Sequence, residues 1–414
     1  MDRSAIFTRM ATADKYIILK VVVAIILICI LFNVMRYVIN KYSSISSPTT
    51  VNNTKKNHVA LLNNRIEPLI NTKKSIYDSP LPENQSLLLN YQVDSCRLAG
   101  YLSPLQDGVF AEEDAVRLAL GSGCRLFVIE ISKGHDGRPA LIARDSMGYK
   151  RSLNEGSIAK VCSALATGSR GEDPLILALY FYDAPDKAKD PGAYLNYLSQ
   201  VAKALSPLIP NHLGLTGVGD FTRQKKESEL FTFAPEFYKN KVLVLCNIDT
   251  SLFRDPTTVG VTKKFSPNED LDFFVHCRLY KQEAGGDLGM TTIATGGSAA
   301  KAVICNDSYF LLTPPDKVEG VVNSTRNQFT IVLKSDPSYM PSTEVAKRLL
   351  DSFGIHSIPV SLDSSVDTTL APFKKNIYRA KPLSLRFTKP VPIVPTQPNK
   401  ALDANGGSVV APKL

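Results

Sequence analysis

The 414-residue chain carries 48 Lys+Arg against 39 Asp+Glu, a formal charge of +9, and is 44% hydrophobic and 21% charged. That composition excludes a disordered or fibrous polymer and leaves room for one large packed domain or two ordinary ones. The basicity is uneven: residues 1–95 hold 11 basic against 6 acidic side chains, residues 373–414 hold 8 against 1, and the stretch between holds 29 against 32. A nucleic-acid-binding fold would gather Lys and Arg on its folded face, so the near-neutral middle argues against nucleic acid as a partner.

A short segment, residues 1–15, precedes the apolar run Tyr16–Ile39. At 1.5 Å per residue this run is long enough for the ~30 Å hydrocarbon core of a bilayer. Lys20 and Arg36 lie near its ends, where long stems can snorkel, and Tyr16 and Tyr37 suit the interface. A cleaved signal peptide would have a shorter apolar core and a small-residue cleavage site, whereas Phe32-Asn33-Val34-Met35-Arg36 follows here. One transmembrane helix in a single-pass membrane protein is therefore expected. Its orientation stays open, because Arg3, Arg9 and Lys15 on one side are balanced by Arg36, Lys41, Lys55 and Lys56 on the other. Asparagines 52, 84, 306 and 323 begin Asn-X-Ser/Thr tripeptides, which matter only if the C-terminal part is lumenal. The six cysteines outside the run show no zinc spacing and read as buried thiols.

Residues 40–85, rich in Asn, Ser, Thr, Lys and Pro, read as a tether. Seven apolar or β-branched runs follow as strands: Arg125–Ile131, Pro139–Ala143, Leu175–Tyr182, Val242–Ile248, Leu271–Tyr280, Phe329–Lys334 and Ile355–Leu362. Helical spacing marks Glu112–Leu120, Glu155–Thr167, Ala193–Leu208 and Ser342–Phe353. Apolar strands alternating with amphipathic helices predict an α/β fold with a parallel sheet, and its size favours a TIM-like (β/α)8 barrel over residues 86–386. Glycines 285, 286, 289, 296 and 297 match neither dinucleotide nor phosphate-loop spacing. Prolines exclude a helix or central strand from the basic tail, residues 387–414.

Gly123-Cys124-Arg125 entering an apolar strand after a helix resembles the second strand of the X region of phosphatidylinositol-specific phospholipase C. Tyr101-Leu102, the turn Asp136-Gly137-Arg138-Pro139, Asp173-Pro174-Leu175-Ile176-Leu177, Leu213-Gly214 and Asn240-Lys241-Val242-Leu243-Val244 follow in that family's order. The resemblance covers roughly residues 90–250 well and 250–385 loosely. It implies a PLC-like phosphodiesterase barrel. In that family two histidines serve as base and acid, and eukaryotic forms add calcium held by carboxylates and an asparagine.

Carried over position by position, the first histidine and the asparagine fall on Leu98 and Ala99, the acidic pair on Val128 and Glu130, the second histidine on Ala143, and the fourth-strand carboxylate on Tyr180. Only Glu130 keeps its chemistry. General acids and bases contribute about 10²–10⁴-fold each, and calcium needs several oxygen ligands. The sequence expectation is thus no enzyme, no metal and no cofactor: a membrane-anchored binding or scaffold module in a viral or host internal membrane, for instance in a membrane-containing virus particle. The alternative is an active phosphoric diester hydrolase with a relocated acid/base pair, with calcium as its cofactor. The five histidines, at 58, 135, 212, 276 and 356, supply no obvious substitute, and His135 reads as a solvated turn residue. Lys374, Lys375, Arg379, Lys381, Arg386 and Lys389 form a basic cluster suited to an anionic lipid or acidic protein surface. The bilayer itself is the other expected partner, through Tyr16–Ile39.

Overall fold

The apolar runs fold as strands because both of their faces find apolar partners. In the computed structural model this is visible over the described residues, which are 17, 19–35, 47–66, 73–102, 108–214, 230–282, 302–334, 336–362 and 376–387. Residues 19–35 are helical (α1), and α2 is Pro48–Ile66. Strands β1 (Tyr91–Val93), β2 (Ser95–Cys96), β3 (Tyr101–Leu102) and β4 (Val109–Phe110) lead to α3 (Glu112–Gly121), β5 (Leu126–Lys133), β6 (Pro139–Leu141) and α4 (Ile158–Thr167). Next come β7 (Leu175–Phe181), α5 (Pro191–Leu205), β8 (Val242–Cys246), α6 (Leu271–Phe274), β9 (Cys277–Gln282) and β10 (Ala302–Cys305). The last elements are α7 (Ser308–Leu311), α8 (Val318–Asn327), β11 (Phe329–Val332), α9 (Thr343–Lys347) and β12 (Tyr378–Ala380).

Seven strands form a curled parallel sheet in the order β11-β10-β9-β8-β7-β5-β2. Isolated parallel bridges Ile331↔Ser357 and Cys96↔Val360 join segment 357–360 to both edge strands. Side chains alternate between the faces, as a period of two requires. Leu126, Val128, Ile176, Ala178, Leu243 and Leu245 share one apolar cluster. Phe127, Ile129, Leu177, Leu179 and Val244 pack in another with helices α3, α4 and α5. Capping fixes where those helices begin: the Ser157 hydroxyl accepts from the Lys160 N–H, and Asp190 accepts from Ala193 with Pro191 in the first turn.

Several expectations are corrected. Pro139–Leu141 pairs antiparallel with Ile131–Lys133, because a tight turn through Gly134 and Gly137, the latter at φ +77°, folds it straight back. Leu271–Tyr280 divides into a helical turn capped by Asp270 and a strand. Ile355–Leu362 makes only isolated bridges. Within the expected tether, α2 aligns Val51, Val59, Leu62 and Ile66 against the outer core, with Leu62 and Ile66 fully buried, so a stripe at helical spacing overrides the polar composition. As for the transmembrane helix, the apolar side chains of α1 are exposed, Leu31 at 66% and Phe32 at 62%. Tyr16 and residues 36–39 lie outside the described residues, and among those described no helix is long and apolar enough to cross a membrane.

Three histidines are structural. His212 and His276 stack with ring centroids 4.2 Å apart. The ring nitrogens of His276 meet the Val244 N–H and the Leu213 carbonyl, both at 2.9 Å. His356 likewise accepts from the Thr330 N–H and meets the Leu89 carbonyl. Burial lowers all three pKa values, that of His212 to about 4. The native imidazoles are neutral where unfolded ones, with pKa near 6.5, take up protons, so stability is full above about pH 6.5 and is lost as pH falls toward the folded values. Urea-unfolding free energies measured between pH 7 and pH 5 should fall with a limiting slope of roughly 4 kcal/mol per pH unit, the uptake of close to three protons.

Candidate active site at the barrel mouth

Glu130 lies on the inward face of β5, in register with Tyr180 of β7, and its side chain is almost wholly buried. Neighbouring Arg97, at the end of β2, satisfies it. Arg97 Nε donates to Oε1 at 2.8 Å and Nη2 donates to Oε2 at 2.9 Å. The Tyr182 hydroxyl donates to Oε2 at 2.6 Å and the Leu98 N–H to Oε1 at 3.3 Å. Arg97 Nη1 donates to the carbonyls of Lys334 and Asp336, at 2.8 and 3.1 Å. Burial works against the Arg97 charge, yet the Glu130 carboxylate outweighs it and the net shift of the Arg97 pKa is upward. The ends of β2, β5, β7 and β11 are thereby braced across the C-terminal end of the barrel.

The other transferred positions divide between the two apolar clusters, Val128 and Tyr180 with the inner one and Leu98, Ala99 and Ala143 with the one beneath the helices. Leu98, Ala99, Val128 and Ala143 are buried, and Tyr180 packs edge-on against Tyr182 with centroids 5.0 Å apart. Leu98 adopts φ 51°, a left-handed conformation that leucine rarely takes, and this turns its N–H onto Glu130. Glu130 does not offer calcium a free oxygen. Both oxygens of the one retained carboxylate are on the Arg97 guanidinium, and no group of three or more His, Cys, Asp or Glu side chains among the described residues could hold a metal.

Polar chemistry collects instead at the rim, where the β5–β6 turn projects beyond the strands. His135 Nδ1 lies 3.1 Å from Glu155 Oε2, and the His135 N–H donates to Oε1 at 3.2 Å. Gly134 makes the approach possible, since a Cβ there would meet Glu155 Oε2 at 2.9 Å. Lys150 Nζ lies 3.7 Å from Glu155 Oε1, and burial, reinforced by Arg144 and opposed by Glu155, holds its pKa below the ordinary value. Asp145 pairs with Arg151 at 2.6 Å and leaves Arg144 to the Gly148 carbonyl. The sequence reading missed Arg97 and the His135–Glu155 contact. The one available signal for the second was Ser157, whose capping role places Glu155 outside the helix.

Of the basic cluster, the three described residues are held by contacts within the fold. Lys374, Lys375 and Lys389 lie outside the described residues. Arg379 on β12 donates to Gln92 Oε1 at 2.8 Å and pairs with Asp351. Lys381 is fully buried with Nζ on the Thr325 carbonyl, and burial, reinforced by Arg326, holds its pKa well below normal. Arg386 donates to the Lys381 carbonyl and to Gln85. Lys381 is thus inside the fold and Arg379 and Arg386 are half-buried at its edge, where β12 pairs with β1.

No family profile matches the sequence, and no curated protein matches it. Solved structures do match. PLC21 from S. officinalis aligns at a TM-score of 0.50 and 16% identity, covering 74% of this chain and 38% of that one. PLC21 from L. pealei aligns at 0.51 and 14% identity with the same coverage. A calcium-dependent phosphatidylinositol-specific phospholipase C from Streptomyces antibioticus aligns at 0.44 and 12% identity, over 72% of this chain and 99% of that one. This chain spans well under half the length of the two PLC21 chains. The two PLC21 matches give the chain the fold of a phospholipase C-like phosphodiesterase barrel. They overturn the expectation of a non-enzyme, because the scaffold is an enzyme's scaffold.

Removing one partner of the brace leaves a buried charge uncompensated. Glu130→Gln and Arg97→Met should each lower the urea-unfolding free energy by about 3–5 kcal/mol, and the double replacement should recover much of that loss. Millimolar calcium should leave the thermal midpoint of the wild type unchanged relative to EDTA.

Proposed function

We propose that this protein is a phosphoric diester hydrolase of the phospholipase C-like type whose acid/base chemistry has moved from the barrel centre to its rim. The observation that carries this reading is the Glu155 carboxylate bridging His135 Nδ1 and Lys150 Nζ beside the mouth. A carboxylate on Nδ1 sets the imidazole tautomer and leaves Nε2 free to take a proton. In that arrangement His135 removes the proton of the attacking hydroxyl or water, the new P–O bond forms, and the leaving oxygen departs with a proton from the Lys150 ammonium. A lysine whose pKa is lowered is a better acid for that step. The substrate class is a phosphodiester of an anionic lipid headgroup or its water-soluble glycerophosphodiester.

A membrane setting belongs to the same proposal, supported by the exposed apolar side chains of α1, from Val22 at 46% to Leu31 at 66%. An aliphatic surface of that kind gains by leaving water for lipid.

The test is turnover of phosphatidylinositol vesicles and glycerophosphoinositol by the full chain, with EDTA present throughout. Activity should survive EDTA, fall about 10²–10⁴-fold in His135→Gln, and fall less in Glu155→Gln. Absence of turnover by the wild type on either substrate, or full activity in His135→Gln, would remove the rim from consideration.

A further inference from the structure

The N-terminal end of the barrel, opposite the mouth, holds a second polar site. Arg125 immediately precedes β5, Asp173 lies two residues before β7, and Arg170 stands in the turn between α4 and β7. They wall an open-sided cavity of about 480 Å³ together with Lys73, Arg117 and Asp78. Volumes of several hundred Å³ suit small-molecule ligands.

The polar groups of this wall are unevenly satisfied. Asp173 Oδ1 accepts from the Ser75 hydroxyl at 2.7 Å and the Ile76 N–H at 3.0 Å. Asp78 accepts from the Ser75 N–H at 2.7 Å. Lys73 is paired with Asp94, and its stem crosses the face of Gly123, where a Cβ would meet Lys73 Cδ at 2.5 Å.

The guanidiniums fare differently. Arg170 is 7% exposed and uses Nη2 on the Asn240 carbonyl at 3.1 Å, while its buried Nη1 has no hydrogen-bond partner. Arg125 is 5% exposed and spends both terminal nitrogens on carbonyls, one of them that of Arg170, while Nε is without a hydrogen-bond partner and stands 3.8 Å from Asp173 Oδ2. Burial, reinforced by Arg125, holds the Arg170 pKa below its ordinary value. Arg125 keeps the Asp173 carboxylate within ion-pair reach, but a second buried guanidinium with an unused donor stands beside it, a cost that a further anionic acceptor relieves.

We propose that this cavity binds the phosphate group of a small soluble molecule, with the unused donors of Arg170 and Arg125 completed by its oxygens and Arg117 reaching over from the exposed side. A tetrahedral oxyanion has the acceptor count and charge that planar guanidinium donors lack here. The site is independent of the rim chemistry, because it stands at the other end of the strands.

Calorimetric titration of the full chain with inorganic phosphate, against chloride at equal ionic strength, tests it. Phosphate should bind and raise the thermal midpoint by about 2 °C or more. Arg170→Gln should weaken binding at least about tenfold, the loss expected for one charge-assisted hydrogen bond. Ser169→Glu, an exposed position on the same wall, should keep the fold and abolish the phosphate response by supplying a carboxylate of its own. No phosphate response beyond chloride, an equal response in both variants, or binding confined to phosphatidic acid vesicles would each overturn the proposal.

Discussion

One ion pair organises the mouth of this barrel. Arg97 and Glu130 meet through two charge-assisted hydrogen bonds while nearly excluded from water, a geometry in which each charge is tolerable only because the other is there. The rest of the mouth follows from that requirement. Tyr182 and the Leu98 N–H complete the carboxylate, the Lys334 and Asp336 carbonyls complete the guanidinium, and Leu98 accepts a left-handed backbone to take part. The arrangement ties together strands that are far apart in sequence. It also commits both oxygens of Glu130 to the Arg97 guanidinium.

That commitment bears on where reactivity can reside. A barrel mouth has a centre formed by strand ends and a rim formed by loops, and loops carry chemistry because the scaffold beneath them is rigid. Here the centre is committed to structure. The β5–β6 turn, closed through Gly137 at positive φ and held by its own antiparallel pairing, presents a histidine to a carboxylate released from helix α4 by the Ser157 cap. The buried histidines cannot play this part. Each has its ring nitrogens engaged with backbone groups, or is buried and stacked, and is kept neutral by burial.

Much of the scaffold was legible in the sequence, for a physical reason. Leu126–Lys133, Leu175–Phe181 and Val242–Cys246 are buried on both faces, so their apolar runs are continuous and their limits fall within two residues of the sequence reading. The failures have reasons as well. Helix α2 is polar on most of its circumference, and only Val59, Leu62 and Ile66 with Val51 betray its inner stripe. Segment 355–362 has strand-like composition but pairs through isolated bridges. Of the positions carried over from the family, Val128 and Tyr180 pack with the inner cluster and Leu98, Ala99 and Ala143 with the one beneath the helices, whereas Arg97 was overlooked. Its meaning depends on Glu130, 33 positions away, and only the parallel register of β2 with β5 brings the two together.

The charge distribution reads differently once the fold is known. Net charge by segment placed the basic excess in the two flanks, with a near-neutral middle. Three of the C-terminal basic residues, Arg379, Lys381 and Arg386, belong to the folded body, so a linear boundary does not separate tail from domain. Within the body, neutrality on average hides local imbalance. At the mouth Arg97 and Glu130 cancel, while at the N-terminal end the buried Arg125 and Arg170 stand beside Asp173, whose Oδ1 Ser75 and Ile76 already share. A sum over sequence cannot distinguish these two ends, because the strands place residues adjacent in the chain on opposite faces and residues 45 apart, such as Arg125 and Arg170, in hydrogen-bond contact. The balance of charge is therefore set by pairing within the barrel, and at the N-terminal strand ends it leaves one nitrogen on each of two buried guanidiniums without a hydrogen bond.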